Sequence, residues 1–375
     1  MTSPPDSPHP VPPRLPPDAS PVTESPPPAA PTSEAALEAS AEAGPGRIDP
    51  AHRPGVTRLA PSPTGALHLG NARTFLINWA LARQLGWKVL LRIEDLDGPR
   101  VKPEYITQTL EVLDWLGIDW DEGPLIQSDD PAPYRQAMHE LSRQGMIYSC
   151  SLTRKEIEAA ASAPHAGAQE LRYPHHLRPA HPPDTDSSGV DRSAFGTLAT
   201  NYRLRVPDVP VSIEDQVAGA TNHHPFEEVG DFVLWTKAGV PSYQLAVVVD
   251  DARQGVTEVV RGADLLPSAA RQQLIYRALK LPPPRWWHLP LVLGPDGRRL
   301  AKRHGDTRLS SYRELGVSAA RIRALLAGFS GIAAGPGTPI DALSAEDFRE
   351  SFRIATLPRG PITLTEENHR WLISD

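Results

Sequence analysis

The chain contains one cysteine, Cys150, in 375 residues. A single thiol excludes an intramolecular disulfide framework and fits a reducing compartment, so the cytoplasm is the expected location. No apolar run approaches the roughly 18 residues of a membrane span. The amino terminus lacks the charged segment and apolar core of a secretory signal. Bulk positive charge is missing as well: the formal net charge is −7. That is the wrong sign for tight, static binding to a polyanion over a whole surface. No internal repeat is found.

Residues 1–50 hold 15 of the 42 prolines, few large apolar side chains and no aromatic one. Such a composition cannot bury enough apolar surface to offset the cost of ordering. A disordered Pro-rich tail is expected there. The chain as a whole is 40% hydrophobic and long enough for two or three domains.

The most informative stretch is Arg58-Leu-Ala-Pro-Ser-Pro-Thr-Gly-Ala-Leu-His68-Leu-Gly70-Asn71. An apolar, extended entry (56–60) runs into a loop broken by Pro and Gly. A helix follows, with Ala72, Phe75, Leu76 and Trp79 at i, i+3, i+4, i+7 spacing. A strand, a tight loop and a helix N-terminus form a natural anion site, since free N–H groups and the helix dipole converge there. His68 can donate a hydrogen bond to the same anion. Far downstream, Gly294-Pro-Asp-Gly-Arg-Arg-Leu-Ala-Lys302-Arg303-His-Gly-Asp306 is a glycine-punctuated basic loop, suited to closing over a triphosphate.

Between these segments the pattern is α/β. Trp87 to Ile93 is an apolar strand ending at Glu94, where a parallel sheet gathers its ligands. Helices are expected over 104–116 and 131–148. Residues 179–193 look like a loop, 232–235 like a strand and 237–240 like a turn. Tyr243 to Asp250 is apolar and ends in acids, so the sheet is expected to resume there. Glu258 to Gly262 is a further strand. Helices are expected over 316–330 and in the tail to Trp371.

The two distant motifs, in this order, resemble the two signatures of class I aminoacyl-tRNA synthetases. His-x-Gly-His reads His68-Leu-Gly70-Asn71, and Lys-Met-Ser-Lys-Ser reads Arg299-Leu-Ala-Lys302-Arg303. Both are divergent: Asn71 replaces the final His, and Arg299 and Ala301 replace the first Lys and the Ser. Arg92-Ile-Glu94-Asp95-Leu-Asp97 and Val248-Val-Asp250-Asp251 are similar to the glutamyl branch. The resemblance implies an α/β, Rossmann-like parallel sheet with an acceptor-type α/β insertion and a C-terminal helical region. The expected divisions are 51–130 (first catalytic half), 131–240 (insertion), 241–306 (second half with the basic loop) and 307–375 (helical).

The implied substrates are L-glutamate and ATP, with Mg2+ accompanying the ATP. The resemblance implies that Arg58, Ala60, Ser62, Glu94, Tyr243 and Arg261 hold the amino acid. A guanidinium fork suits a carboxylate, and Glu94 suits the ammonium. His68, Gly70 and Lys302 would serve the ATP, with His68 and Lys302 catalytic. Asp250 and Asp251 could bind ribose or cap strands. Asp95 and Asp97 are expected to pair with Arg92 or Arg100. Local patches could meet RNA: Arg172, His175, His176 and Arg178, or Arg321 with Arg323. Each is equally a solvated face.

Only 69 residues follow Asp306, too few for an anticodon-binding domain plus its helical connection. The chain therefore resembles a shortened branch that attaches glutamate to queuosine at the wobble position of tRNA(Asp), with the anticodon loop as partner. Val247 stands where full-length members carry Asn. Many members bind structural zinc through Cys-x-Cys and Tyr-x3-Cys; here these read Cys150-Ser-Leu152 and Tyr173-Pro-His-His-Leu177. Leucine supplies no ligand, so zinc is expected to be absent, replaced by apolar packing. Cys150, His175 and His176 are the only substitutes nearby. The alternatives are a minimal enzyme charging a tRNA 3′ end, and a non-catalytic RNA-binding paralogue.

Overall fold

The computed structural model describes residues 54–96, 98, 101–160, 171–180, 200–298, 300, 307–332 and 342–374. The tail, Asp97, Arg100, most of the 179–193 loop, and Lys302 with Arg303 lie outside them. All described residues belong to one compact unit, Arg53–Asp375.

In chain order the elements are β1 (Val56–Leu59), α1 (Leu69–Leu85), β2 (Lys88–Ile93), α2 (Pro103–Trp115), β3 (Glu122–Ile126), α3 (Ala132–Arg143), β4 (Ile147–Cys150) and α4 (Arg154–Ala160). Then come β5 (Asn201–Leu204), β6 (Val211–Asp215), β7 (Gly219–His223), α5 (Pro225–Glu228), β8 (Val233–Trp235), α6 (Tyr243–Arg253), β9 (Glu258–Gly262) and α7 (Leu266–Ala278). The last are β10 (Arg285–Leu289), β11 (Val292–Leu293), α8 (Leu309–Glu314), α9 (Ala319–Phe329), α10 (Ala345–Ser351), β12 (Ile362–Thr363) and α11 (Glu366–Ile373).

Strands β1, β2 and β3 form a parallel sheet, with Arg58 opposite Leu90 and Ile93 opposite Ile126. A second sheet has the order β7-β6-β10-β9, in which β10 runs parallel to both β6 and β9. Thr257, just before β9, donates to the Val56 carbonyl at 2.9 Å and accepts from the Val56 N–H at 2.9 Å. These bonds bring β9 alongside β1. The carboxyl ends of β1, β2 and β9 therefore open on one crevice, where α/β sheets place ligands. The third sheet, β4-β5-β8, is antiparallel.

Helix α1 is the centre of the first core. Leu76, Ile77 and Ala80 are fully buried against residues of the C-terminal helices, including Tyr312, Ile322, Leu326 and Phe348. The second core joins α3, α6 and α7 through Tyr134, Met138, Val248, Ile275 and Trp286. Among the described residues no helix is long and apolar enough to cross a membrane.

Three expectations need correction. Helix α3 stops at Arg143, because Gly145 takes φ +67° and turns the chain into β4; glycine is the residue for which that conformation is unstrained. Tyr243 to Asp250 is not a strand but the first two turns of α6. Every residue from Gln244 to Asp251 is buried, and a helix buried on all sides carries the same unbroken apolar run as a buried strand. The C-terminal region is helical as expected, but it also contributes β12, which pairs in parallel with β11.

Phe348 of α10 is fully buried in the α1 core, its ring 6.0 Å from that of Phe352. Phe348→Ala is expected to cost about 3–5 kcal/mol. In urea denaturation it should lower the midpoint of the main transition, because α10 packs on the same core as the nucleotide helix.

Candidate active site

A cavity of about 570 Å3 opens at the carboxyl ends of β1, β2 and β9. Its wall includes Arg58, Ala60, Ser62, His68, Gly70, Glu94, Tyr243 and Arg261. Every site residue named from the sequence, apart from Lys302, thus meets in one place.

Its charged floor is organised by Asp251, on α6 and fully buried. One oxygen, Oδ1, accepts from Arg58 Nε at 3.2 Å and from Arg92 Nη1 at 2.7 Å. Arg92 Nη2 donates in turn to Glu94 Oε1 at 3.0 Å. Burial raises the Glu94 pKa, with Arg92 and Arg58 opposing it. Asp250 lies 4.0 Å from Arg92 Nε and accepts hydrogen bonds from Gln127 Nε2 (2.6 Å), Tyr134 Oη (2.9 Å) and Arg253 Nε (2.8 Å). The paired acids are thus structural anchors, not strand caps. Asp95 accepts from the Ser128 N–H at 2.9 Å and from its hydroxyl, while Arg92 goes to Asp251 and Glu94; the alternative partner expected for Asp95, Arg100, lies outside the described residues.

Arg261, on β9, is held by a chain of buried groups. Its Nε donates to His288 Nε2 at 2.9 Å. His288 Nδ1 lies 2.6 Å from Asp215 Oδ2. These contacts assign the His tautomer: Nδ1–H donates to the carboxylate and Nε2 accepts from the guanidinium. Strand register makes the chain possible, since His288 lies opposite Arg261 and Trp286 opposite Asp215. Burial pushes the His288 pKa down to about 4. Burial alone would raise the Asp215 carboxyl, but hydrogen bonds from His288 and the Ala218 and Val217 N–H groups hold it below its ordinary value. Arg261 Nη1 is buried with no partner. Burial also lowers the Arg261 pKa, opposed by Tyr243. A desolvated guanidinium of this kind favours an anionic ligand.

The α1 N-terminus forms the other wall. His68 is its N-cap, and Nδ1 accepts from the Gly70 N–H at 3.1 Å and the Asn71 N–H at 3.4 Å. Asn71 Oδ1 returns the bond to the His68 N–H at 3.2 Å. The residue that replaces the signature His therefore completes a capping box. This corrects the expectation that these N–H groups stand free; with Nδ1 accepting, the neutral imidazole carries its proton on Nε2. A Cβ at Gly70 would meet the His68 ring at 3.1 Å, so a larger residue would displace the cap.

Described residues within and just after the basic loop lie at this wall. Leu300 lies in the cavity lining. The Leu69 N–H donates to the Thr307 carbonyl (3.3 Å) and the Leu309 N–H to the Leu67 carbonyl (2.9 Å). The two signature segments are thus neighbours, although Lys302 itself lies outside the described residues.

The proposed RNA patches are mostly committed internally. Arg172 pairs with Glu227 and Arg178 with Asp231. His175 stacks on Phe226 at 3.6 Å. Arg323 donates to the Leu343 and Leu116 carbonyls, and Arg321 lies over the Trp371 ring. In the degenerate metal element, Leu152 and Leu177 pack around Cys150, Ile157 and Tyr173, and Cys150 Sγ lies 3.7 Å from the Tyr173 hydroxyl. This donor set does not fit zinc. Among the described residues no group of three or more His, Cys, Asp or Glu could hold a metal ion.

A parallel nucleotide sheet with a capped helix N-terminus and a basic loop beside it defines a class I synthetase catalytic domain. Residues 56–357 match the family model for tRNA synthetases class I (E and Q), catalytic domain, and the chain belongs to that family. Within it, the chain is 42% identical over 319 residues to the glutamyl-Q tRNA(Asp) synthetase of Symbiobacterium thermophilum, covering 83% of this chain and 96% of that protein. It is 47% identical over 267 residues to the protein of the same name from Rhodopirellula baltica, covering 70% and 80%. The glutamate–tRNA ligase of Azorhizobium caulinodans is 44% identical over 271 residues, but the match takes only 55% of that protein. Among solved structures, a glutamate tRNA ligase from Elizabethkingia meningosepticum in complex with its amino acid superposes with a TM-score of 0.68 at 25% identity, over 85% of this chain and 69% of that one.

His288 generates a pH prediction. Its folded pKa of about 4 lies below its unfolded value near 6.5, so between these values the unfolded chain binds the extra proton. Stability is therefore expected to fall from pH 6.5 toward pH 4, by about 3 kcal/mol from this group. Thermal melts across that window should show the slope, and His288→Gln should remove part of it.

Proposed function

We propose that this chain activates L-glutamate with ATP and transfers the glutamyl group to queuosine at the wobble position of tRNA(Asp), in the cytoplasm. The observation that carries the reading is the charge arrangement of the cavity. Two buried guanidiniums, Arg58 and Arg261, and the Glu94 carboxylate line a space beside a capped helix N-terminus, with Asp264 also in its wall. Glutamate carries the complement, two carboxylates and one ammonium. Arg58 and Arg261 take the carboxylates and Glu94 takes the ammonium.

In the first step a glutamate carboxylate oxygen attacks the α-phosphorus of ATP. An acyl–phosphate bond forms, and the bond to pyrophosphate breaks. Mg2+ accompanies the ATP and offsets its charge. His68 and Lys302 stabilise charge on the phosphates, and positioning does most of the remaining work. In the second step an acceptor hydroxyl attacks the acyl carbon. The ester bond forms, AMP leaves with the electron pair of the broken bond, and the hydroxyl proton departs with the phosphate or to solvent. The queuosine acceptor is favoured because relatives named for it are matched over 80–96% of their length. The ligase from Azorhizobium caulinodans is matched over about half.

Labelled glutamate is expected to enter tRNA(Asp) that carries queuosine and not tRNA(Asp) that lacks it. The product should survive conditions that strip a 3′ ester. Charging of tRNA(Glu) alone would establish the minimal 3′-end enzyme instead. Lys302→Ala should depress glutamate-dependent ATP–pyrophosphate exchange by about 10²–10³, the loss of one charge-stabilising group; near-normal exchange removes Lys302 from the mechanism. Metal analysis of the purified protein should find no stoichiometric zinc, and a chelator should leave its Tm unchanged.

A further inference from the structure

A second cavity, of about 490 Å3, shares Tyr243 with the first. Its wall is drawn from the insertion sheet (Asn201 and Arg203 on β5), the start of α6 (Ser242, Tyr243, Gln244) and Arg271 on α7. That size falls within the range of about 300–1,000 Å3 typical of small-molecule sites.

One edge of this wall carries unsatisfied polar atoms. Gln244 is 9% exposed, and its Nε2 donates to Ser268 Oγ at 3.1 Å. That bond fixes the amide orientation, yet Oε1 is buried without a partner. The neighbouring Ser242 Oγ is buried and unpartnered too. Each such group costs about 1–3 kcal/mol unless something satisfies it, and a native structure carries few. Two such atoms, on the residues either side of Tyr243 and beside a cavity, point to a hydroxyl-bearing ligand. Tyr243, 39% exposed, offers an aromatic face on which a base can stack. The cations in the cavity wall are Arg203, whose guanidinium lies 4.1 Å from the Tyr173 ring centroid, Arg154, 82% exposed, and Arg271, with Asp231 the one acid beside them among the described residues. These suit a polynucleotide backbone better than a neutral metabolite.

From this arrangement we propose that the second cavity receives the acceptor nucleoside, recognised by its vicinal cis-diol through Gln244 and Ser242. The inference rests on the proposed function, because a cavity joined to the activation site by one side chain is where an acceptor hydroxyl must approach the acyl carbon. Vicinal cis-diols occur on the cyclopentene ring of queuosine and on the 3′-terminal ribose of a tRNA. The chemistry is shared, and the two sources are separated by experiment.

Gln244→Leu and, as the gentler change, Ser242→Ala would be assayed beside the wild type in two reactions. ATP–pyrophosphate exchange with glutamate reports activation. Transfer of labelled glutamate is followed on queuosine-containing tRNA(Asp) and separately on tRNA(Glu). Exchange is expected to stay within about twofold and Tm to be little changed. Transfer kcat/KM should drop about tenfold for Gln244→Leu, the value of one hydrogen bond of about 1.4 kcal/mol, and less for Ser242→Ala. Equal losses in both reactions, or no loss in transfer, overturn the assignment. Wild-type transfer confined to the 3′ end of tRNA(Glu) would overturn the proposed function. The same variants on that arm would then still decide whether the cavity holds the acceptor diol.

Discussion

The site depends on one buried carboxylate. Asp251 is fully buried and accepts from two guanidiniums, Arg58 of β1 and Arg92 of β2. Neither arginine can be held so far from water without a partner, and removing such a partner typically costs 3–5 kcal/mol. Arg92 then reaches Glu94, so the third charge of the cavity is placed by the same contact. Two strands and a helix are locked together by this group, and its geometry sets where the Arg58 and Glu94 side chains can stand.

The opposite side of the cavity uses the same device in another form. Asp215, His288 and Arg261 sit on the adjacent parallel strands β6, β10 and β9, and side-chain hydrogen bonds run across them. A neutral imidazole between a carboxylate and a guanidinium passes orientation from one to the other without adding charge. The arginine that faces the cavity is thereby held by a residue two positions removed from it. At the helix wall, the divergence of the first signature is compensated locally: Asn71 completes the capping box with His68. The change costs the helix no cap and leaves His68 in a defined tautomer.

The insertion meets a different constraint. Leu152 and Leu177 close an apolar cluster with Cys150 and Tyr173. Asp231 serves as the polar tie of the same module, accepting from Tyr148 Oη at 2.7 Å, from the Val206 N–H at 2.9 Å and from Arg178. Packing and one hydrogen-bonded carboxylate hold the strands of this module together.

The local elements were legible in sequence wherever periodicity and turn chemistry agreed. The 3.6-residue spacing from Ala72 to Trp79 identified α1, and the apolar run ending at Glu94 identified β2. The cavity residues Arg58, Ala60 and Ser62 were legible as words beside the first signature, and Glu94, Tyr243 and Arg261 through the resemblance farther along the chain. What the sequence left open was every choice that depends on burial from all sides. Tyr243 to Asp250 read as a strand because a fully buried helix shows no polar face. His288 and Asp215 carried no motif and entered the site only through strand register. The acidic pair Asp250-Asp251 could have bound ribose until tertiary packing sent one carboxylate to Arg58 and Arg92 and the other to Gln127, Tyr134 and Arg253. Sequence by itself thus determined which chemical groups this protein brings to its site. Tertiary structure alone decided which of them face the cavity and which are consumed in holding it open, because a buried charge must take whatever partner the fold places within hydrogen-bonding distance.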